Sequence, residues 1–450
     1  MQNDSLKYVY RYTLVAALGG LLFGYDTAVV AGAIGFIEEK FNLSPAMKGW
    51  AASCALVGCM AGAMLSGGLS DRLGRKKVLM ISAFAFAISS VGIMIPSGIS
   101  TFIFFRFIGG VGIGIASILS PMYISEIAPA NIRGKLISIY QLGIVTGILL
   151  IYFVNAGIAG LNDHIWNVET GWRWMFGSGL IPSLVFIFSL ISTPESPRWL
   201  GAQSRWNEAQ AILEKINGKQ QAVEEMNTIR QSISAKQSPF SELLKPILRK
   251  PLLIGIILAI FSQVTGINVI MYYAPEIFKA TGSGSSSALM QTVWVGSINL
   301  LMTLVAIKYV DLLGRKKLLM IGSAGMAICL ALVGFAFFTN STSGYWVLID
   351  ILIYISFFAI SLGPLTFVVV AEIFPTNIRG RAMGVAIFFL WLAVYIVSQT
   401  FPILLNAIGS AYTFWIYMVT SALAFLFIWK MVPETKGKTL EQIQEMWGKG

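Results

Sequence analysis

The sequence is short of charge. Only 12% of its 450 residues are Asp, Glu, Lys or Arg, whereas a soluble domain carries about 25%. Apolar residues make up 56% of the chain, and the mean hydropathy is +0.74. The composition therefore predicts that most of the chain faces lipid or its own apolar neighbours.

Cysteine and histidine are also scarce. Cys54, Cys59 and Cys329 all lie in apolar segments, and an odd number of them favours free thiols packed as small hydrophobes. The single histidine, His164, lies in a polar connection, so we expect no metal site. The sequence shows no nucleophile triad, metal-ligand cluster or nucleotide-binding loop, which argues against an enzyme.

Apolar segments long enough to cross a ~30 Å hydrocarbon core as helices occur twelve times. We place them at 12–34, 49–69, 78–96, 101–122, 138–158, 173–193, 252–274, 288–310, 317–338, 346–370, 383–404 and 410–431. Residues 194–250 are polar, and amphipathic patterns there predict a cytoplasmic linker with short helices. The predicted domains are 1–193, 194–250 and 251–450, the last with a short cytoplasmic tail.

The net charge of +11 is placed unevenly. Lys and Arg cluster in alternate connections, which are DRLGRKK (71–77), NIRGK (131–135), DLLGRKK (311–317) and NIRGRA (377–382). The connections between them are nearly free of basic residues. This positive-inside pattern places both termini in the cytoplasm and gives the charge a role that needs no nucleic acid.

The second half of the chain repeats the first. Three blocks return in order, SDRLGRKKVLM (70–80) as VDLLGRKKLLM (310–320), SEIAPANIRGK (125–135) as AEIFPTNIRGR (371–381), and PESPRWL (194–200) more loosely as PETKGKTL (433–440). Each block follows span two, four or six of its half. We therefore predict an all-α membrane protein of twelve transmembrane helices in two six-helix halves, related as a parallel repeat.

These blocks, with GGLLFGYDTAVVAG (19–32) and GINVIMYYAPEIF (266–278), resemble the sugar porter family of the major facilitator superfamily. The resemblance runs from about Leu14 to Leu440 and is greatest to bacterial proton-coupled xylose and glucose symporters, then to facilitative glucose carriers. It implies a monosaccharide carrier that works by alternating access as a monomer in the bacterial inner membrane. Its coupling ion is a proton, and no cofactor is expected.

Both halves carry the same charged residues on their cytoplasmic side, and we call this set the cytoplasmic latch. Its members are Arg75, Glu126, Arg133, Glu195, Arg315, Glu372 and Arg379. Helix-end carboxylates beside arginines form bidentate pairs, although solvated topology signals are the alternative. The resemblance implies that these pairs link the halves in the outward-facing carrier and break when it opens inward.

Polar side chains within apolar spans are candidate sugar ligands, because sugar hydroxyls need neutral donors and acceptors. In span seven, Asn268 and Tyr272 share a helical face. Gln263 lies about 140° away on an ideal helix, so joint use requires a distortion, for which Gly266 is suited. The alternative is that such amides only join helices.

The resemblance assigns sugar contacts to four amides and three aromatic residues, namely Gln141, Gln263, Asn268, Asn299, Phe23, Tyr272 and Trp391. Core packing is the alternative for the aromatic residues. Three positions depart from the family pattern: Ser262 replaces one of two paired glutamines, Phe367 aligns with a sugar-stacking tryptophan, and Leu390 replaces an amide. With fewer polar contacts and a smaller aromatic surface, the identity of the sugar stays open.

A carboxylate, Asp26, lies within the first apolar span, where a charge costs about 2.5–3.5 kcal/mol on insertion scales. Arg106 is the only cation deep in spans one to six, and helical rise places both in the outer half of the membrane at similar depth. A structural ion pair is one interpretation. Because burial disfavours an ionised carboxylate and an arginine favours it, movement between them could also load and release a proton. The resemblance implies this proton-coupling role.

The leading prediction is therefore proton–monosaccharide symport. Facilitated diffusion without a proton is the first alternative, and sugar-induced alkalinisation of the medium would distinguish the two. A transporter-like nutrient sensor is less favoured, because such proteins carry long cytoplasmic tails and only about 18 residues follow span twelve here.

Overall fold

A computed structural model describes residues 2–95, 98–129, 132–234, 243, 246–374 and 378–436. Within these residues the chain is helical, with short connections and no strand. Helices satisfy their own backbone hydrogen bonds, which a segment in hydrocarbon must do because no water is available there. The prediction of an all-α protein is confirmed.

Eleven continuous helical segments of the described chain are long and apolar enough to cross a membrane. They are Leu6–Phe41, Pro45–Leu73, Arg75–Met94, Ile99–Ile127, Arg133–Ala159, His164–Ile191, Leu248–Ala280, Ser285–Tyr309, Arg315–Phe338, Trp346–Glu372 and Gly380–Met431. They agree with the predicted spans to within several residues at each end, and we number them span one onward.

The last segment contains two spans. Helix Arg379–Met431 has 53 residues, which at 1.5 Å per residue gives a length of about 80 Å, far more than one crossing of a ~30 Å core needs. Gly409 interrupts it with φ 78° and ψ 170°, outside the helical region. Residues 380–408 are therefore span eleven and 410–431 span twelve, as the apolar pattern predicted.

Contacts divide the chain into two compact units that interleave along the sequence. Unit 1 comprises Met1–Thr27, Gly58–Ile148 and Phe176–Gln237, and unit 2 comprises Ala28–Val57, Leu149–Met175 and Ser238–Gly450. The predicted division of the sequence at residues 193 and 250 follows the internal repeat and stays a prediction.

Small residues bring helices together within unit 1. A Cβ atom added to Gly24 of span one would overlap the carbonyl oxygen of Ile144 in span five, and one added to Gly147 would overlap that of Leu21. Spans two and four meet in the same way, with Gly58 against the carbonyl of Phe107. Such close packing replaces the hydrophobic driving force, which is absent between helices in lipid.

The linker between spans six and seven has a core of its own. Its helices are Pro197–Ala202, Trp206–Asn217 and Lys219–Ser234. They bury a cluster of apolar side chains made up of Trp199, Leu200, Ala209, Leu213, Ala222, Met226 and Ile229. The predicted linker helices are thus present and pack as a small bundle.

Candidate functional site

The carboxylate in span one is paired as predicted. Arg106 Nη1 lies 2.9 Å from Asp26 Oδ2, and Arg106 Nη2 donates to the carbonyl oxygen of Asp26 at 3.2 Å. The arginine side chain is 1% exposed and the aspartate 13%. The Arg106 guanidinium also lies 5.1 Å from the centroid of the Phe176 ring, a cation–π arrangement. Two charges that are costly in a membrane are therefore held together in unit 1.

Space beside this pair is kept open by a glycine. A Cβ atom at Gly109 would lie 3.3 Å from Asp26 Oδ2 and closer still to Ser89 Oγ. Arg106 Nε is buried and is without a hydrogen-bond partner among the described residues. One donor of the guanidinium thus remains for a rearrangement of the pair.

The predicted distortion of span seven is present. Helix Pro246–Val264 ends before Gly266, which has φ 92° and ψ 11° in the left-handed region, and helix Ile267–Ala280 follows. Asn268 Nδ2 donates to Gln263 Oε1 at 2.6 Å, and Gln263 Nε2 donates to Ser262 Oγ at 2.9 Å. The break therefore brings together two amides that an ideal helix would separate.

Neighbouring spans satisfy the carbonyls that the break releases. The hydroxyl of Tyr354 in span ten donates to the Thr265 carbonyl at 2.9 Å, and that of Thr420 in span twelve donates to the Val264 carbonyl at 2.7 Å. Backbone groups left without partners in a membrane are costly. These hydroxyls fix the geometry of the break and therefore the placement of the two amides.

The other predicted sugar ligands differ in exposure. Phe23 and Gln141 in unit 1 are half-buried. In unit 2, Tyr272, Asn299 and Trp391 are buried, whereas Phe367 is 41% exposed. Phe367 follows a second helix break at Ser361, where φ is −131° and ψ is −99°.

In unit 1 the cytoplasmic latch residues form a compact cluster. Arg75 Nε lies 3.1 Å from Glu126 Oε2, and Arg75 Nη2 lies 3.1 Å from Glu126 Oε1, a bidentate pair. Glu195 Oε1 accepts the backbone N–H of Arg75 at 2.9 Å. Arg133 donates to the carbonyl of Ala128 at the end of span four. Glu195 therefore caps the start of span three and fixes the arginine that holds Glu126.

Unit 2 repeats this cluster with a residue that the sequence analysis missed. Arg315 Nη2 lies 3.3 Å from Glu372 Oε1, while Glu434 accepts the backbone N–H groups of Arg315 and Lys316 at 3.1 Å each. Glu434 belongs to PETKG, the looser echo of PESPR, so the repeat itself was the signal. The side chain of Arg379 lies outside the described residues.

A glycine permits the capping contact in each unit. Gly74 and Gly314 precede spans three and nine with φ of 95° and 87°, a conformation that costs other residues steric strain. A Cβ atom there would also meet the carboxylate of Glu195 or Glu434. The glycine of each G-R-K motif thus makes room for the glutamate.

Comparison with known proteins decides the family. The sequence matches the family described as Sugar (and other) transporter over residues 12–447. The chain belongs to this sugar transporter family. It is therefore an integral membrane transporter of the major facilitator superfamily rather than an enzyme.

Relatives and solved structures match the transporter along nearly its whole length. It is 45% identical to the arabinose-proton symporter of Bacillus subtilis and 43% identical to the D-xylose-proton symporter of Escherichia coli, covering 99% and 98% of this chain and 96% of each relative. It superposes on the partially occluded inward-open xylose transporter XylE of Escherichia coli with a TM-score of 0.87 at 42% identity, covering 96% of this chain and 100% of that one. The twelve-helix architecture in two halves with a helical linker is thereby established.

A second charged cluster in unit 2 was not anticipated. Lys48 Nζ lies 2.6 Å from Glu38 Oε2 and 3.1 Å from Glu276 Oε2, and Lys279 Nζ lies 3.1 Å from Glu276 Oε1. These residues lie at the ends of spans one, two and seven remote from the basic connections. In the sequence these are ordinary helix-end charges, and nothing local indicates that Lys48 and Glu276, 228 positions apart, are partners.

Proposed function

We propose that the transporter is a proton-coupled monosaccharide symporter that works by alternating access. The observation that carries this proposal is the pair of Asp26 with Arg106. A charged carboxylate in an apolar span is expensive, so its presence there marks Asp26 as a functional candidate. Its relatives named as arabinose-proton and D-xylose-proton symporters support the same conclusion.

Proton coupling follows from the two states of this pair. When Asp26 is ionised, its attraction to Arg106 holds spans one and four together. Protonation removes that attraction, and the unsatisfied Nε of Arg106 can then take part in a different arrangement. A ligand shifts a conformational equilibrium only if it binds the two conformations with different affinity. The proton would do so here, because it would bind Asp26 more tightly in the conformation in which the carboxylate is not paired with Arg106.

The sugar would bind where the broken span seven presents its amides. Asn268 donates a hydrogen bond to Gln263. A sugar hydroxyl can take the place of either amide in this hydrogen bond at little net cost, because one polar partner is exchanged for another. The remaining proposed contacts are Phe23, Gln141, Tyr272, Asn299, Phe367 and Trp391. Both pentoses and hexoses are compatible with this set.

The cytoplasmic latch would set the balance between states. Exchanging ion pairs between conformations keeps the two close in energy. Glu126→Gln retains the shape but loses the charge that holds Arg75, and we expect a changed ratio of inward to outward accessibility with slower transport. Unchanged accessibility and rate would contradict the latch.

The proposal also includes location and assembly. The transporter would lie in a bacterial inner membrane with both termini in the cytoplasm, and it would function as a monomer with the proton as its coupling ion. Labelling of single cysteines placed in the basic connections, from either side of intact cells, tests the orientation.

Uptake into proteoliposomes tests the function. A panel of radiolabelled pentoses, hexoses and polyols is offered with and without an imposed pH gradient. We expect at least one monosaccharide to accumulate only with the gradient. If the sugar only equilibrates across the membrane, to the same extent with and without the gradient, the result would support a facilitative carrier. Binding of sugar without uptake would support a sensor.

A further inference from the structure

A groove on unit 1 has the character of a lipid site. It is a shallow, open groove of about 900 Å³ between the cytoplasmic ends of spans one and six. Nine residues line it: Leu6, Lys7, Tyr10, Arg11, Leu14, Val15, Leu18, Ser189 and Ser192. None of them is acidic and two are cationic, so the groove is suited to an anionic ligand.

The cationic residues of the groove lie at one end. Lys7 and Arg11 are at its cytoplasmic end, together with Leu6 and Tyr10, whereas Leu14 and Leu18 continue toward the membrane centre. From residue 7 to residue 18 a helix rises about 16 Å, which is close to half of a ~30 Å hydrocarbon core. The gradient therefore matches the headgroup and one acyl chain of a lipid in the cytoplasmic leaflet.

The cationic end is also positioned by contacts. Arg11 Nη2 donates to Ser192 Oγ at 3.1 Å, which uses one of the five donors of a guanidinium. Lys76 Nζ donates to the carbonyl of Ile191 at 2.9 Å and places a third cation beside Ser192. Leu14, 57% exposed, leaves an apolar surface just below them.

We propose that this groove binds an anionic phospholipid, with its phosphate between Lys7 and Arg11 and an acyl chain along Leu14 and Leu18. Basic pockets between helices on the cytoplasmic side favour such headgroups. Free phosphate would contact only the cationic, cytoplasmic end of the groove, whereas a phospholipid would contact both this end and the apolar part. The site is separate from the Asp26–Arg106 pair and does not depend on the transported substrate.

Native mass spectrometry of the full-length transporter, titrated with dioleoyl phosphatidylglycerol or dioleoyl phosphatidylcholine, tests the proposal. The variant is Lys7→Gln/Arg11→Gln. Its matched control is Arg249→Gln/Lys250→Gln, which removes the same two charges from exposed positions at the start of span seven. A basic residue near an anionic surface contributes about 1 kcal/mol, so the Lys7/Arg11 variant should bind phosphatidylglycerol roughly 30-fold more weakly. The control should bind it like the unmodified protein.

Equal losses in both variants would overturn the proposal, since the charges would then act only as a general basic surface. Equal binding of the two lipids by the unmodified protein would also overturn it. An arm with dihexanoyl phosphatidylglycerol and one with inorganic phosphate separate the ligand sources. We expect weaker binding of both, and binding as tight as that of the dioleoyl lipid would refute a site for the acyl chain.

Discussion

The unanticipated cluster of unit 2 gives a quantitative prediction about stability. Lys48 is 12% and Glu276 21% exposed, with their charged atoms 3.1 Å apart. At an effective dielectric constant near 20 the gross attraction at this distance is about 5 kcal/mol. Removing water from the two charges offsets most of it, so the net contribution is smaller.

We expect Lys48→Met and Glu276→Gln each to lower the free energy of unfolding by about 2 kcal/mol, because each leaves a poorly solvated charge with one partner fewer. Glu38 still contacts Lys48, and Lys279 still contacts Glu276, so neither charge is stranded. The double variant should lose about 3 kcal/mol, less than the sum, which gives a coupling energy of about 1 kcal/mol.

Denaturant titration of the four proteins in the same detergent measures this cycle. The exposed pair Arg205–Glu208, 2.6 Å apart in the linker, is the matched control, and its neutralisation should change stability little because solvent screens it. Strictly additive losses at Lys48 and Glu276 would refute the reasoning, since they would mean that the two charges do not stabilise each other.

Two further predictions concern packing and protonation in unit 1. Gly24→Ala should destabilise the transporter by about 1–3 kcal/mol because its Cβ overlaps the Ile144 carbonyl, whereas Gly67→Ala, with open space around it, should be tolerated in the same thermal assay. Burial raises the pKa of Glu225 in the linker, against the influence of Arg133 and Arg198. The folded linker therefore binds this proton more tightly than the unfolded chain, and stability falls as pH rises from the ordinary carboxyl pKa through the raised one. Glu225→Gln should therefore raise the free energy of unfolding near neutral pH, and this gain should shrink as the pH falls. An equal gain from Glu224→Gln, at an exposed position, would show that burial of Glu225 is not the cause.

Much of the fold could be predicted because lipid imposes simple rules on sequence. Apolar length located the spans, and the two spans that one continuous helix joins at Gly409 still showed as two hydrophobic segments. The depth of each residue in the membrane, taken from the rise of an ideal helix, was enough to predict that Asp26 pairs with Arg106. The angle between Gln263 and Asn268 required a break, and Gly266 provides it.

Other features could not be predicted because they depend on where distant helix ends meet. Glu195 and Glu434 accept backbone N–H groups at the starts of helices, and a sequence pattern does not show which carboxylate reaches which amide. Lys48 and Glu276 are 228 positions apart, and each is unremarkable in its own helix. Such contacts come from tertiary packing, which the hydrophobic periodicity of a sequence does not reveal.

Sugar accumulation by Asp26→Asn tests the central claim most directly. The substitution keeps the size of the side chain and removes its charge and its proton. In proteoliposomes with an inward proton gradient, we expect the variant to exchange labelled sugar across the membrane but not to concentrate it, while the unmodified transporter does both. Gradient-driven accumulation by Asp26→Asn at the unmodified level would contradict proton coupling through this residue.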